Sequence, residues 1–196
     1  MYLLFETIKI IGGKPQNLSL HGERMNRTRR KLFGNNDLLK LSDYIKVPND
    51  AKDRITRCRV IYATSINSIE FSPYIPSNIK TLKIVDAGIL VYDYKYLDRS
   101  RLTALIDKSA ADDILIMRNG CVTDASFANI VFTDGQCWIT PDTPLLNGTM
   151  REFLLRKGVI KTERITIDDL SIYTHFRLIN SMLGFDAPLL PVSNII

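Results

Sequence analysis

"DDILIMRNGCVTDASFANIVFTDGQCWIT", residues 112–140, decides the fold. Short apolar runs, rich in β-branched residues, are separated by "RNG" and "TDGQ". The pattern is that of an antiparallel meander with Gly120 and Gly135 at its corners. Asp124 falls inside what should be a largely buried strand. A carboxylate there is expensive unless a cation meets it. It is either a turn-end aspartate capping a neighbour or an anion that meets a protonated ring nitrogen.

Upstream, "IKTLKIVDAGILVYDY", residues 79–94, supplies strand material. "DRSRLTALIDKSAADD", residues 98–113, reads as a helix with Asp98 or Ser100 as cap and Leu102, Leu105 and Ile106 on its apolar face. Lys95 stands between the two, flanked by Tyr94 and Tyr96. A lysine there either drapes its stem over aromatic rings or is a desolvated amine available as a nucleophile or base. Downstream, "LLNGTMREFLLRK", residues 145–157, turns into a helix at Thr149. That residue is a plain N-cap, or the helix start binds an anion through its free N–H groups.

The N-terminal part has its own elements. "LLFETIKII" (3–11) reads as a strand, "QNLSLHGERMNRTRRKLFG" (16–34) as a helix closing at Gly34, and "LLKLSDYIKV" (38–47) as a second helix. "TRCRVIYATS" (56–65) and "SIEFSPY" (68–74) read as strands. "SPYIPSN" (72–78) is the best linker. The expected organisation is a small lobe over 1–72, a linker over 73–80 and a larger lobe over 81–196.

Composition bounds the function. The chain has 196 residues, 45% of them hydrophobic and 24% charged, so it can build a core and is not a disordered tail. No apolar run reaches the length of a membrane span, and no membrane partner is expected. The N-terminus lacks the features of a signal peptide. Three cysteines without a CxxC pair fit a reducing cytoplasm. Two histidines without clustered cysteines argue against a zinc site. The net charge of +5 owes much to "RMNRTRRK", residues 24–31. This reads as a solvated helix face rather than a nucleic-acid-binding strip.

An amine, an anion cradle and a buried carboxylate together are what pyridoxal phosphate asks for: a lysine partner, a phosphate site and an acid at the pyridine nitrogen. The chain resembles the class IV aminotransferases, the fold-type IV enzymes that include D-amino-acid and branched-chain aminotransferases and aminodeoxychorismate lyase. The motifs run in order: "FETIKIIGGK", "HGERM", "YKYLDR", "DDILIMRNGCVTDASFANIVF", "WITPDTPLLNGTMREFLL" and "LINSM". The specific part is 95–155.

The resemblance implies an α+β, two-lobe fold of the D-amino-acid aminotransferase type with a trimmed N-terminal lobe. It implies that Lys95 is the Schiff-base lysine and proton shuttle, facing the cleft between lobes. Arg24 matches the phosphate-binding arginine, which leaves Arg27, Arg29, Arg30 and Lys31 as surface residues. Gly148, Thr149 and Met150 match the phosphate cup and Ser181 a further phosphate contact. Phe127 and Leu146 fall where the ring packs. Asn129 follows the acidic motif, with a structural role. Asp124 stands where the family usually has glutamate, one methylene longer. Thr7 falls where the lyases carry a threonine close to substrate, and Arg59 and Tyr62 lie nearby in the pattern. The reading favoured is a 4-amino-4-deoxychorismate lyase that eliminates pyruvate to give 4-aminobenzoate, in folate biosynthesis. The alternatives are an amino-acid aminotransferase of D-amino-acid or branched-chain type, or a catalytically impaired relative. The family further implies a homodimer acting on a small amino substrate.

Overall fold

A computed structural model describes residues 2–106 and 111–196. It divides into two compact units. The first comprises Met1–Pro76 with Tyr94–Asp98, and the second Ser77–Asp93 with Arg99–Ile196. The short segment that carries Lys95 therefore belongs to the first unit although its flanks belong to the second.

In the first unit, strands β1 (Leu4–Ile11), β2 (Lys14–Pro15), β3 (Thr56–Tyr62) and β4 (Ile66–Pro73) form an antiparallel sheet in the order β2-β1-β3-β4. Leu4, Ile8 and Ile10 of β1, and Cys58, Val60 and Tyr62 of β3, are fully buried on one face. Helix α1 (Leu18–Phe33) adds Met25 to that core. It ends where Gly34 takes a left-handed φ of 73° and its N–H reaches the Arg30 carbonyl. Residues 94–98 run along the start of β1. Phe5 N donates to Lys95 O at 3.0 Å, Leu97 N to Leu3 O at 2.8 Å, and Leu4 bridges to Tyr96.

Two expectations fail here. The second helix shrinks to one turn, α2 (Leu41–Tyr44), with Lys40 and Ile45 extended on either side. Ile45 and Val47 are β-branched, and Pro48 disfavours helical backbone before it. Arg29 is a core residue rather than a surface one, at 1% exposure. Its guanidinium donates to the Thr64 carbonyl at 2.9 and 2.7 Å, to the Asp37 carbonyl at 2.9 Å and to the Asp37 carboxylate at 2.8 Å. It pins the loop after α1 and the turn after β3 to the helix.

The second unit holds two sheets. Strands β5 (Leu82–Asp86), β6 (Asp113–Arg118) and β7 (Cys121–Ala125) form one, with β5 parallel to β6 and β7 antiparallel to it. Strands β8 (Asn129–Thr133), β9 (Trp138–Pro141), β10 (Lys161–Glu163), β11 (His175–Ile179) and β12 (Leu190–Pro191) form the other, in the order β10-β9-β8-β11-β12. Helix α3 is Ser100–Ile106 and α4 is Thr149–Arg156. The main core gathers Leu115, Val122, Ile130, Phe132 and Phe176, all but fully buried.

The meander is real but split. Asn119 and Gly120 both have positive φ, 52° and 74°, as a tight hairpin turn with native twist requires. The second hairpin, β8-β9, lies in the other sheet. The chain crosses over at Ser126–Ala128, where Ala125 N reaches back to Ala128 O at 2.9 Å. Strand β5 is also shorter than the 79–94 reading. The backbone turns after Asp86, with Leu90 N on Ala87 O at 3.0 Å and Gly88 at a φ of 55°. Lys95 therefore does not end a strand. Residues 107–110 of the expected 98–113 helix lie outside the described residues, and Asp113 already begins β6.

Replacing Arg29 by methionine leaves the Thr64 and Asp37 carbonyls without this donor. The expected loss is about 2–4 kcal/mol of unfolding free energy, measured by urea titration.

Candidate active site

In the first unit, a buried carboxylate stands on the core face of the sheet. Glu6 follows the parity of Leu4 and Ile8 on β1 and is fully buried. It needs compensation there, and α1 supplies it one turn apart. His21 Nδ1 lies 2.6 Å from Glu6 Oε2. Arg24 Nε donates to Oε1 at 2.9 Å and its Nη2 to Oε2 at 2.5 Å. Burial pushes the Glu6 carboxyl up, but the Arg24 charge and the His21 hydrogen bond outweigh it and bring it down to about 2. Burial pulls His21 below its usual value despite the Glu6 contact. The charge of Arg24 is thus held in one orientation by a two-point contact.

The opposite face of the same sheet carries Phe5, Thr7 and, from β3, Arg59. Thr7 and Arg59 are direct cross-strand partners. The Lys95 Nζ and the Arg59 Cζ each lie 4.6 Å from the centroid of the Phe5 ring. Phe5 is 5% exposed, so the ring is a dry platform shared by two cations. Tyr62 takes the other parity, and its side chain is fully buried among Leu4, Met25 and Val60. That places it on the face opposite Thr7 and Arg59.

In the second unit, Asp124 sits on β7, almost fully buried. Asn129 Nδ2 donates to its Oδ1 at 2.7 Å and Leu146 N to its Oδ2 at 2.9 Å. Burial raises its carboxyl from 3.8 to about 6, against these hydrogen bonds and the charge of Arg151. Arg151 gives its own hydrogen bonds elsewhere, to the Pro141 carbonyl at 2.8 Å and to Thr140 and Asn147. Asp124 therefore holds a costly charge among neutral donors, and an N–H cation placed on it would relieve that cost.

Asn129 also donates to the Leu146 carbonyl at 2.9 Å, so it clamps strand to loop. A Cβ on Gly148 would lie 1.9 Å from Asn129 Oδ1, so only glycine fits. Helix α4 starts immediately after it, with Thr149 buried and Met150 half-buried. Ser181 follows β11 in the turn where Asn180 Oδ1 accepts from the amides of Met182 and Leu183. Phe127 packs on the main core.

Comparison with known proteins decides the family. The model of "Amino-transferase class IV" matches residues 93–195. A Haemophilus influenzae protein without an assigned role is 37% identical over 94% of this chain and all of its own. This chain belongs to the class IV amino-transferases. A crystal structure from Haemophilus somnus, described as a proposed 4-amino-4-deoxychorismate lyase, superposes with a TM-score of 0.87 at 34% identity, covering 94% of this chain and 98% of that one. The aminodeoxychorismate lyase of Bacillus subtilis is 22% identical over 92% of this chain and 74% of its own. A Mycobacterium tuberculosis protein described as a hypothetical aminotransferase, in a pyridoxal-phosphate-bound form, shares the fold, with a TM-score of 0.76 and 19% identity over 96% of this chain and 80% of that one.

This class IV amino-transferase is thus a pyridoxal-phosphate-dependent lyase or transaminase with the two-lobe α+β fold. Its residues fit the cofactor. Among the described residues Asp124 meets no cationic hydrogen-bond donor, Arg24 is a guanidinium held in one orientation, and Gly148 directly precedes the first turn of α4. Sequence reasoning did not find Glu6, Phe5 or Arg151. The even parity of Glu6 with Leu4 and Ile8 was the available signal for the first.

Two outcomes follow. Glu6→Gln leaves the Arg24 charge without its counter-ion, and unfolding free energy should fall by about 3 kcal/mol. For Asp124, the folded carboxyl lies above its unfolded value of 3.8, so the folded state binds the extra proton between that pH and about 6. Stability of the cofactor-free protein should therefore decline as pH rises through this window, by up to about 3 kcal/mol. Asp124→Asn should flatten that slope in urea titrations at pH 4.5 and 7.5.

Proposed function

We propose that the protein is a 4-amino-4-deoxychorismate lyase, eliminating pyruvate to give 4-aminobenzoate. One observation carries this reading. Thr7, the position where the lyases carry a threonine close to substrate, lies across from Arg59 on the sheet face that holds Phe5 and Lys95. The lyase descriptions of the Haemophilus somnus and Bacillus subtilis relatives support it.

Pyridoxal phosphate, when bound, joins an amine through its aldehyde and draws electrons from the adjoining carbon. The roles of this chain follow. Lys95 Nζ would be the amine that anchors the aldehyde, and it would carry the proton to and from the substrate carbon. Phe5 would shield Nζ from water and limit its position. Arg24, locked by Glu6, would hold the phosphate, as would the backbone at Gly148, Thr149 and Met150 and the hydroxyl of Ser181. Asp124 would hold the proton on the ring nitrogen. Its side chain is a methylene shorter than glutamate, and the Asn129–Leu146 clamp fixes where it points. Phe127 and Leu146 flank the ring. On this reading the enzyme works as a cytoplasmic homodimer in folate biosynthesis, on a small amino substrate. Among the described residues no helix is long and apolar enough to cross a membrane.

The test is incubation of cofactor-loaded protein with 4-amino-4-deoxychorismate, following 4-aminobenzoate and pyruvate together. Both should appear in equal amounts. Lys95→Ala should reduce turnover by at least about a thousandfold, as loss of a covalent catalyst does. It should also abolish the borohydride-reduced adduct that peptide mass spectrometry locates on residue 95. Turnover of an amino acid with a keto acid, with no 4-aminobenzoate formed, would reassign the enzyme as a transaminase.

A further inference from the structure

Asn180 makes two kinds of contact with one short side chain. It stands directly after β11, whose last residue, Ile179, is paired with Asn129 at the start of β8. Its Oδ1 accepts from Met182 N at 2.8 Å and from Leu183 N at 2.9 Å, and its carbonyl accepts from Gly184 N at 3.1 Å. The turn that carries Ser181 is wound around it, in the manner of an asparagine at a helix start. Its Nδ2 donates elsewhere, to Phe127 O at 3.4 Å.

That second contact falls on the crossover at Ser126–Ala128. This segment lies between β7 and β8 and belongs to neither sheet, so its carbonyls need other partners. Arg99 Nη2 donates to Ser126 O at 2.5 Å, Asn180 to Phe127 O, and Ala125 N to Ala128 O at 2.9 Å. Ser126 N donates to the buried Asp113 carboxylate at 3.3 Å. Of these partners, Asn180 alone comes from the Ser181 turn. Capping that turn requires only an acceptor, which serine or aspartate would also supply. A carboxamide adds a donor on the same short arm, and Phe127 O is what it meets.

We infer that Asn180 is a positioning residue for the cofactor, holding the Phe127 crossover and the Ser181 turn in one fixed relation. The inference deepens the reading of Phe127 as a ring contact and Ser181 as a phosphate contact, and rests on it. Two contacts joined through one rigid ligand reinforce each other only where their spacing matches that ligand. Asn129 ties Asp124 to Leu146 from the adjoining strand end in the same way. In this role Asn180 acts through Phe127 and Ser181, without touching the cofactor.

The experiment measures three affinities of the cofactor-free protein by calorimetry: for pyridoxal phosphate, for pyridoxal, and for inorganic phosphate. Asn180→Ser keeps an acceptor for the turn and lacks the nitrogen that meets Phe127 O. It should bind pyridoxal phosphate about tenfold more weakly, the scale of one or two neutral hydrogen bonds. Pyridoxal and inorganic phosphate should each stay within about twofold of wild type, because each needs only one of the two elements. Asn180→Asp, which keeps both turn bonds and loses the donor, is the second variant. Its charge weakens inorganic phosphate and pyridoxal phosphate alike, and pyridoxal phosphate should lose about tenfold beyond that. The inference is overturned if either variant binds pyridoxal phosphate as wild type does. It is also overturned if pyridoxal or inorganic phosphate weakens by the same factor as pyridoxal phosphate, since Asn180 would then serve one element alone. Failure of the underlying reading shows separately, in Ser181→Ala protein that binds inorganic phosphate as wild type does, and it removes the inference as well.

Discussion

The Glu6 carboxylate is buried between a strand and a helix, and much of the first unit is arranged around that fact. A lone carboxylate on the core face of β1 would be prohibitive. His21 and Arg24, three residues apart on α1, meet it with a short hydrogen bond and a forked ion pair. The contact fixes the rotation of α1 about its own axis, since only one face of the helix presents both groups. The same contact presents Arg24 as a guanidinium of fixed orientation. Compensation of the carboxylate and a fixed guanidinium come from one set of bonds. Such a buried cluster is poor evidence for added stability compared with an apolar one, and its value lies in specifying one arrangement.

The second unit solves a related problem differently. Asp124 is met by neutral donors, and its charge stays expensive. The two carboxylates are thereby driven in opposite directions, Glu6 down to about 2 and Asp124 up to about 6. One is a permanent anion that holds a protein cation. The other gains most from a cation supplied by a ligand. This divergence comes from environment rather than from residue type.

Much of this was legible in the sequence because it rests on local signals. Period-two alternation located β1, β3, β4 and the hairpins, and Gly34 marked the end of α1. Lys95, Asp124 and Thr149 stood out because each breaks an apolar or turn pattern. What failed depends on partners distant in the chain. Arg29 looks like any charge in a basic run until Thr64 and Asp37 are brought to it. The break at Ser126–Ala128 is invisible in the sequence, because either sheet satisfies the same alternation. Asn129 shows the reverse: its clamp on Leu146 could not be read, yet the close fit of Gly148 against it explains why a glycine precedes α4.

Residues 94–98 close the exposed start of β1, and they are made long after it. During synthesis the first 76 residues leave the ribosome with the Phe5 N–H and the Leu3 carbonyl, on the edge of β1 away from β3, still unanswered. That is an open strand of the kind that recruits another chain. A nascent polypeptide of this protein is therefore exposed to sticking until about twenty further residues have emerged. The last piece of the first unit to arrive is also the one that carries Lys95.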